Sequence, residues 1–471
     1  MKILLIRPHS EVPSAAPPLG LLYLSSYIRE HSPHSVSICD ARFKEYNYDE
    51  IEGQIRAAKP DLVGITAFSQ EFREAHEIAK RSKKVFPEVK VILGGPYATS
   101  DYEQALKDPN IDIAVIGEGE KSFHQLVSAL ERNEEWTAIR ELAYRSNGTI
   151  QKSEIREFVD NLDELPYPAW DMLNLDEYFN RRGTRKRTSF NQHQMKRRVL
   201  SIQTTRGCPY HCSYCHNLFG KKLRKRSVEN VIGELKLMKE KYNVEEVEII
   251  DDIFNLDIDR AKQIFRRIIE EKLNMKFSFP NGLRSDRLDE ELLDLFKEGG
   301  VYRLVFAIES GTPRIQKLVR KNLDLEKARE AIAYAAKKGF SMGGFFMLGF
   351  LDETEEECWN TINFALESEL HTAAFFCVTP FPNTEIWRQA REMGYNLSPD
   401  LEHYFAHYQK VSANISKVPS ERLEELRKIA FRRFYLNPKR IINFMRTTPW
   451  RDRFFEKIWI LIAASFFKYE K

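Results

Sequence analysis

A chain of 471 residues with 42% hydrophobic and 30% charged residues holds enough apolar material for more than one buried core. Its formal net charge of +3 is too small to mark a nucleic-acid partner, and no run approaches the ~18 apolar residues of a membrane span. Six cysteines are too few for a disulfide scaffold, and the stretch from Met1 to Ile6 shows no signal-peptide cleavage pattern, so the expected location is the cytoplasm.

Residues 1–155 read as alternating strands and helices. Short apolar runs at 3–6, 36–39, 61–66, 90–93 and 113–116 are predicted strands, and 21–30 carries apolar residues at helical spacing. This alternation predicts a parallel sheet covered by helices on both faces. In such sheets ligands bind beyond the carboxyl ends of the strands. Near those ends lie Pro18, Leu19 and Gly20, then Thr66, then Gly94, Gly95, Pro96 and Tyr97, then Gly117, Glu118 and Gly119. Glycines there let backbone amides approach a bulky ligand, although each taken singly serves equally as a tight turn.

Residues 156–198 are a predicted linker, punctuated by Pro166 and Pro168 and dense in Lys and Arg from 181 to 198. Nucleic-acid binding would need stacking aromatics among those charges, and only Tyr178 and Phe190 are near. A solvated flap is the expected role, with contact to an anionic substrate or phospholipid headgroup as the alternative.

From 199 to 395 a second series begins. The strand at 199–203 leads into Cys208, Cys212 and Cys215, spaced C-x3-C-x2-C. Three close thiols cannot pair among themselves, and they suit a soft metal: zinc with His216 as fourth ligand, or an iron–sulfur cluster with one iron left open. Later predicted strands end in polar turns: 247–250 before Asp251 and Asp252, 276–279 before Arg284, 303–307 before Glu309 and Ser310, then 341–347 and 372–378. The basic run 221–226 is expected to be solvated, with Ser227 capping the next helix. Cys358 is expected to pack in a core. Cys377, in the last strand, is either packed or placed to give a hydrogen atom to a substrate radical. Residues 396–471 form a predicted C-terminal helical region, with helices at 420–436 and 438–446. Its tail at 458–467 is apolar but too short to span a bilayer, so it either docks on protein or makes a peripheral membrane contact.

The cysteine spacing, with its ordered strand ends, resembles the radical S-adenosylmethionine (SAM) superfamily. The runs at 17–24, 59–66, 93–99 and 116–120 resemble the N-terminal cobalamin-binding domain of one large branch of it. The resemblance implies an α/β fold with a Rossmann-like cobalamin-binding domain, a partial (β/α)6 TIM-like barrel and the helical region. It implies a 4Fe–4S cluster on Cys208, Cys212 and Cys215, with SAM on the open iron. Tyr214 would contact adenine, Asp251 and Asp252 the SAM ammonium, and Glu309 and Ser310 the ribose and methionine ends. Arg320 matches the family less well. The D-x-H-x-x-G cobalt-ligand signature is absent, and Tyr97 stands where many relatives carry histidine.

The implied activity is cobalamin-dependent methylation of an unactivated carbon in a hydrophobic or natural-product substrate. Ring closure or rearrangement, as in the anaerobic tetrapyrrole cyclases, is the alternative. A non-catalytic zinc-binding protein is more distant. A methylthiotransferase would bring a second cysteine set to the first domain, where only Cys39 lies. The implied partners are a small-molecule or lipid-like substrate and an external electron donor of the flavodoxin or ferredoxin type.

Overall fold

The computed structural model describes residues 1–10, 16–153, 158–181, 198–216, 218–398 and 410–447. The basic flap at 182–197 and the apolar tail lie outside the described residues. The chain forms two compact units, Met1–His193 with His216–Arg226, and Gln194–Cys215 with Ser227–Lys471.

The first unit is built on a seven-stranded sheet. Its strands are β1 (Lys2–Arg7), β2 (Ser35–Asp40), β3 (Leu62–Thr66), β4 (Lys90–Gly94), β5 (Ile113–Val115), β6 (Leu142–Ser146) and β7 (Thr149–Lys152), in the spatial order 2-1-3-4-5-6-7. The first five are parallel, and the nearly unbroken burial of β1, β3, β4 and β5 explains why they read as apolar runs, while the edge strand β2 is only partly buried. Because β2 and β3 flank β1 on opposite sides, strand order reverses between β1 and β3, the place where such sheets open a crevice at their carboxyl ends. The antiparallel hairpin β6–β7 is an addition to the expected sheet. Its turn is Asn147-Gly148, both residues at positive φ, the geometry that matches hairpin twist.

The predicted linker is largely part of this unit. Trp170 and Phe179 are buried, the Tyr178 ring stacks on Phe43 at 3.7 Å, and its hydroxyl donates to Asp40 at 2.7 Å. Arg7 also grips Asp40, through Nε and Nη2 at 2.7 Å each, so the ends of β1 and β2 are locked by a buried, fully paired charge.

The second unit carries six parallel strands in chain order, β8 (Val199–Ile202), β9 (Glu246–Ile249), β10 (Lys276–Leu283), β11 (Val301–Glu309), β12 (Ser341–Leu348) and β13 (Thr372–Cys377). Since β8 and β13 do not pair, the sheet is an open, partial barrel. Helices following the strands cover its outer face, where Phe265, Phe277, Phe279 and Phe296 form one aromatic core. The edge strand β13 is protected from further pairing by the helix Ser420–Tyr435. The Tyr435 hydroxyl accepts from the Ala373 N–H at 3.0 Å and donates to its carbonyl at 2.9 Å. Among the described residues no helix is long and apolar enough to cross a membrane.

Candidate functional site

Barrel chemistry is built where strands end, and the cysteine loop leaves the end of β8. Asp251, two residues past β9, holds the root of that loop. It accepts from the Thr204 N–H at 2.5 Å and from the Thr204 and Thr205 hydroxyls at 2.6 and 2.9 Å. Arg260 donates to the Thr204 carbonyl at 3.1 Å. Burial pushes the Asp251 carboxyl upward, opposed by these donors and by Arg260. Asp252 beside it is exposed.

Further along, the loop is pinned at its backbone. The Ser213 N–H donates to the Val319 carbonyl at 3.0 Å, and the Ser213 carbonyl accepts from the Ile386 N–H at 2.9 Å. Its aromatic residues are gripped as well. The Arg284 guanidinium lies 3.9 Å from the centre of the Tyr210 ring, while its nitrogens donate to the Lys321 and Asn322 carbonyls. Tyr214 meets the Phe350 ring at 5.6 Å and the Lys321 ammonium at 3.5 Å. Phe350 is fixed in turn by the buried Glu353, whose carboxylate accepts from the Gly349 and Phe350 N–H groups at 2.6 and 2.9 Å.

The Glu309-Ser310-Gly311 turn is equally determined. Glu309 adopts a left-handed φ of 66° and faces Lys321 at 3.4 Å. Ser310 is fully buried, with its hydroxyl 3.2 Å from that of Thr361, and Gln316 donates to the Ile308 and Ser310 carbonyls at 2.8 and 2.6 Å. A Cβ on Gly311 would stand 2.8 Å from the Asn360 carbonyl, so close approach of the helix Glu355–Glu367 requires glycine here.

Cys208 and Cys212 are partly exposed, and Cys215 is exposed. Among the described residues no three His, Cys, Asp or Glu side chains converge as a single ion requires. Thiols spread along one exposed loop fit a multi-iron cluster, whose irons sit apart and favour sulfur. Two sequence expectations need correction. Cys377 shares its strand face with Ala373 and Phe375, and Phe375 packs against Phe431 and Phe434 of the outer helix Ser420–Tyr435. The thiol is buried and pushed up to about 11, with Arg427 and Glu424 of that helix as its charged neighbours. Cys377 therefore faces the helical layer, away from the lumen face that would meet a substrate radical. The run 221–226 is also not uniformly solvated, since Arg224 and Arg226 are buried.

In the first unit, the ends of β3, β4 and β5 are tied through the predicted turns. Thr99 accepts from the Gly117 N–H at 2.9 Å, and Ala67 accepts from the Tyr97 N–H at 2.9 Å. Tyr97 is fully buried, its hydroxyl 3.0 Å from His76 Nε2, whose Nδ1 lies 2.7 Å from Asp108. Gly94 has open space where a Cβ would project, and Phe68, just beyond β3, is 52% exposed. An exposed aromatic just beyond β3 and an open glycine at the end of the neighbouring β4 suit a flat, bulky cofactor. Phe68 was absent from the sequence expectation because a lone aromatic carries no signal until its exposure is known. Pro18, Leu19 and Gly20 start the helix Leu19–His31, with open space at Gly20 as well. Glu118 and Gly119 precede the helix Glu120–Arg132, and Glu118 is buried.

Comparison with known proteins agrees with both halves. The radical SAM superfamily signature matches residues 202–365, and a B12 binding domain matches 9–127. The chain is 34% identical over 452 residues to an uncharacterized methyltransferase of Pyrococcus horikoshii, covering 94% of each protein. It is 30% identical to the cytidylyl-2-hydroxyethylphosphonate methyltransferase of Streptomyces wedmorensis, covering 88% of this chain and 86% of that one. Its fold resembles that of the cobalamin-dependent SAM radical enzyme OxsB, solved with aqua-cobalamin and SAM bound, at a TM-score of 0.75, with 16% identity over 98% of this chain and 70% of that one. The chain therefore belongs to the cobalamin-binding branch of the radical SAM enzymes, with an iron–sulfur cluster, SAM and cobalamin as its cofactors.

Proposed function

We propose that this enzyme transfers a methyl group to a carbon of a hydrophobic or natural-product small molecule. The observation that carries the reading is the pairing, in one chain, of a three-thiol loop on a partial barrel with a sheet whose β3 and β4 ends carry an exposed aromatic and an open glycine. Two relatives at 30% identity or more, each covered over most of its length, are named methyltransferases. When bound, the cluster with SAM supplies hydrogen-atom abstraction, and cobalamin supplies carriage of the methyl group.

The chain's own part is placement. Cys208, Cys212 and Cys215 would hold the iron–sulfur cluster. Asp252 and Glu309 offer carboxylates to the SAM ammonium and ribose. Tyr214, backed by Phe350 and Lys321, gives the adenine a wall. Gly94, Gly95, Pro96, Thr66, Gly20 and Gly117 would hold cobalamin through backbone and open space. The reductant is an external donor of the flavodoxin or ferredoxin type. Anaerobic turnover with methyl-deuterated SAM tests the reading: the substrate should gain one labelled methyl in place of a hydrogen. Net loss of hydrogens without label would establish cyclisation or desaturation instead.

A further inference from the structure

The chain between the third cysteine and the helix Val228–Tyr242 behaves as a strap of the first unit, to which His216–Arg226 belong. Its anchor is Arg224. Arg224 Nη1 donates to Glu118 Oε2 at 2.8 Å, Nη2 stands 2.6 Å from Oε1, and both side chains are 1% exposed. The same guanidinium donates to the Val159 and Phe219 carbonyls at 2.8 and 2.9 Å and lies 4.7 Å from the Phe158 ring. Glu118 also accepts from the Val159 N–H at 2.9 Å. Gly220 adopts φ +78, and a Cβ there would stand 2.5 Å from the Phe158 ring, so the strap passes this ring only as glycine. Arg226 stacks over Tyr167 at 5.5 Å. By contrast Lys222 and Asp160 pair in solvent, where such a pair contributes little.

A buried arginine forked across one carboxylate and two carbonyls is a fixed point, because removing either charged partner leaves an uncompensated buried charge. Glu118 lies in the glycine turn after β5, yet its carboxylate is directed to Arg224 and Val159. Arg224 follows Cys215 by only nine positions. We infer that Glu118 and Arg224 are a positioning pair for the iron–sulfur loop: they fix the chain just beyond Cys215, and Glu118 is not a cobalamin contact. This inference rests on the cofactor assignment above.

The test uses the full-length enzyme loaded with cluster and hydroxocobalamin, comparing Glu118→Gln, Arg224→Lys and, as control, Lys222→Ala. Three readouts separate the possibilities: trypsin cleavage at the exposed Lys221, Lys222 and Lys225, iron release to a chelator, and hydroxocobalamin affinity by absorbance. Glu118→Gln should raise strap cleavage about tenfold or more and speed iron release, while cobalamin affinity stays within about twofold. Arg224→Lys keeps the charge but loses the fork, so it should fall between wild type and Glu118→Gln; it carries the test alone if Glu118→Gln does not fold. Lys222→Ala should leave iron release unchanged. Cobalamin affinity falling about tenfold with cleavage and iron release unchanged would make Glu118 a cofactor ligand and overturn the inference. Unaltered values in all three readouts would also overturn it. A wild-type protein that takes up neither iron nor cobalamin would instead defeat the cofactor assignment.

Discussion

The two parallel sheets end in loops of opposite character. In the barrel, strand ends present side chains: three thiols, Asp252 and Glu309, with Arg284, Lys321 and Glu353 bracing them. In the first unit the polar side chains at the strand ends are tied inward, Tyr97 to His76, Thr99 to Gly117 and Glu118 to Arg224. Among the described residues of those turns, Gly94 is open at its Cβ position and Phe68 is exposed. A cluster and a charged small cofactor need specific donor atoms, whereas a rigid macrocycle needs shape. The barrel should therefore fail when a side chain is removed, and the first unit when one is added.

The largest effect belongs to the thiols. Cys212→Ala should reduce iron content and reductant-dependent 5′-deoxyadenosine formation to background, measured by metal analysis and chromatography. Full activity in that variant would remove the barrel half of the contrast.

Next comes a division of labour between neighbours. Asp251→Asn loses part of the acceptor set that holds Thr204 and Thr205, so cluster occupancy or kcat should fall about 10–100-fold with KM for SAM nearly unchanged. Asp252→Asn should raise KM for SAM while iron content stays that of the wild type. The reverse pattern would exchange their roles.

The added side chain gives the complementary test. Gly94 is extended, with open space at its Cβ position, so Gly94→Ala should fold normally yet weaken hydroxocobalamin binding about tenfold. Gly95 differs: at φ +82, a Cβ would stand 2.5 Å from the Thr66 hydroxyl. Gly95→Ala should cost about 1–3 kcal/mol of stability, read from thermal or urea unfolding. Unchanged cobalamin affinity in Gly94→Ala would break the backbone-cradle account.

A smaller effect concerns pH and the barrel's edge. His371, just before β13, accepts from the Met342 N–H at 3.1 Å, and burial near Arg440 pushes its imidazole from 6.5 down to about 4. Its folded form favours the neutral ring, so this contribution is intact above the unfolded value and is lost as pH falls from 6.5 toward 4. Urea unfolding should show a loss of about 2 kcal/mol between pH 7 and pH 5. His371→Asn, which keeps an acceptor but cannot titrate, should flatten that dependence.

The same contrast explains what is legible in the sequence. All eleven parallel strands read clearly: burial on both faces writes the central ones as apolar runs, and polar turns mark the ends of the half-buried edge strands too. The hairpin β6–β7 escapes because its strands are short and largely polar, although Asn147-Gly148 is a recognisable turn signal. The thiols declare themselves by spacing, and Glu309 by the family resemblance of its turn. Lys321, Phe350, Glu353 and Gln316 do not: Lys321 and Phe350 meet Tyr214 only through the fold, while Glu353 and Gln316 bond nearby backbone without a pattern that marks them. Cys377 stays open between packing and hydrogen donation because both faces of β13 are apolar, so alternation cannot say which one meets the helix. Arg224 sits among basic neighbours, and its partner lies over a hundred positions away.

The most direct test of the central claim is elemental analysis of the anaerobically purified enzyme. The account predicts iron and acid-labile sulfide in the proportions of one 4Fe–4S cluster, together with cobalt as bound cobalamin. Stoichiometric zinc without iron or cobalt would contradict it.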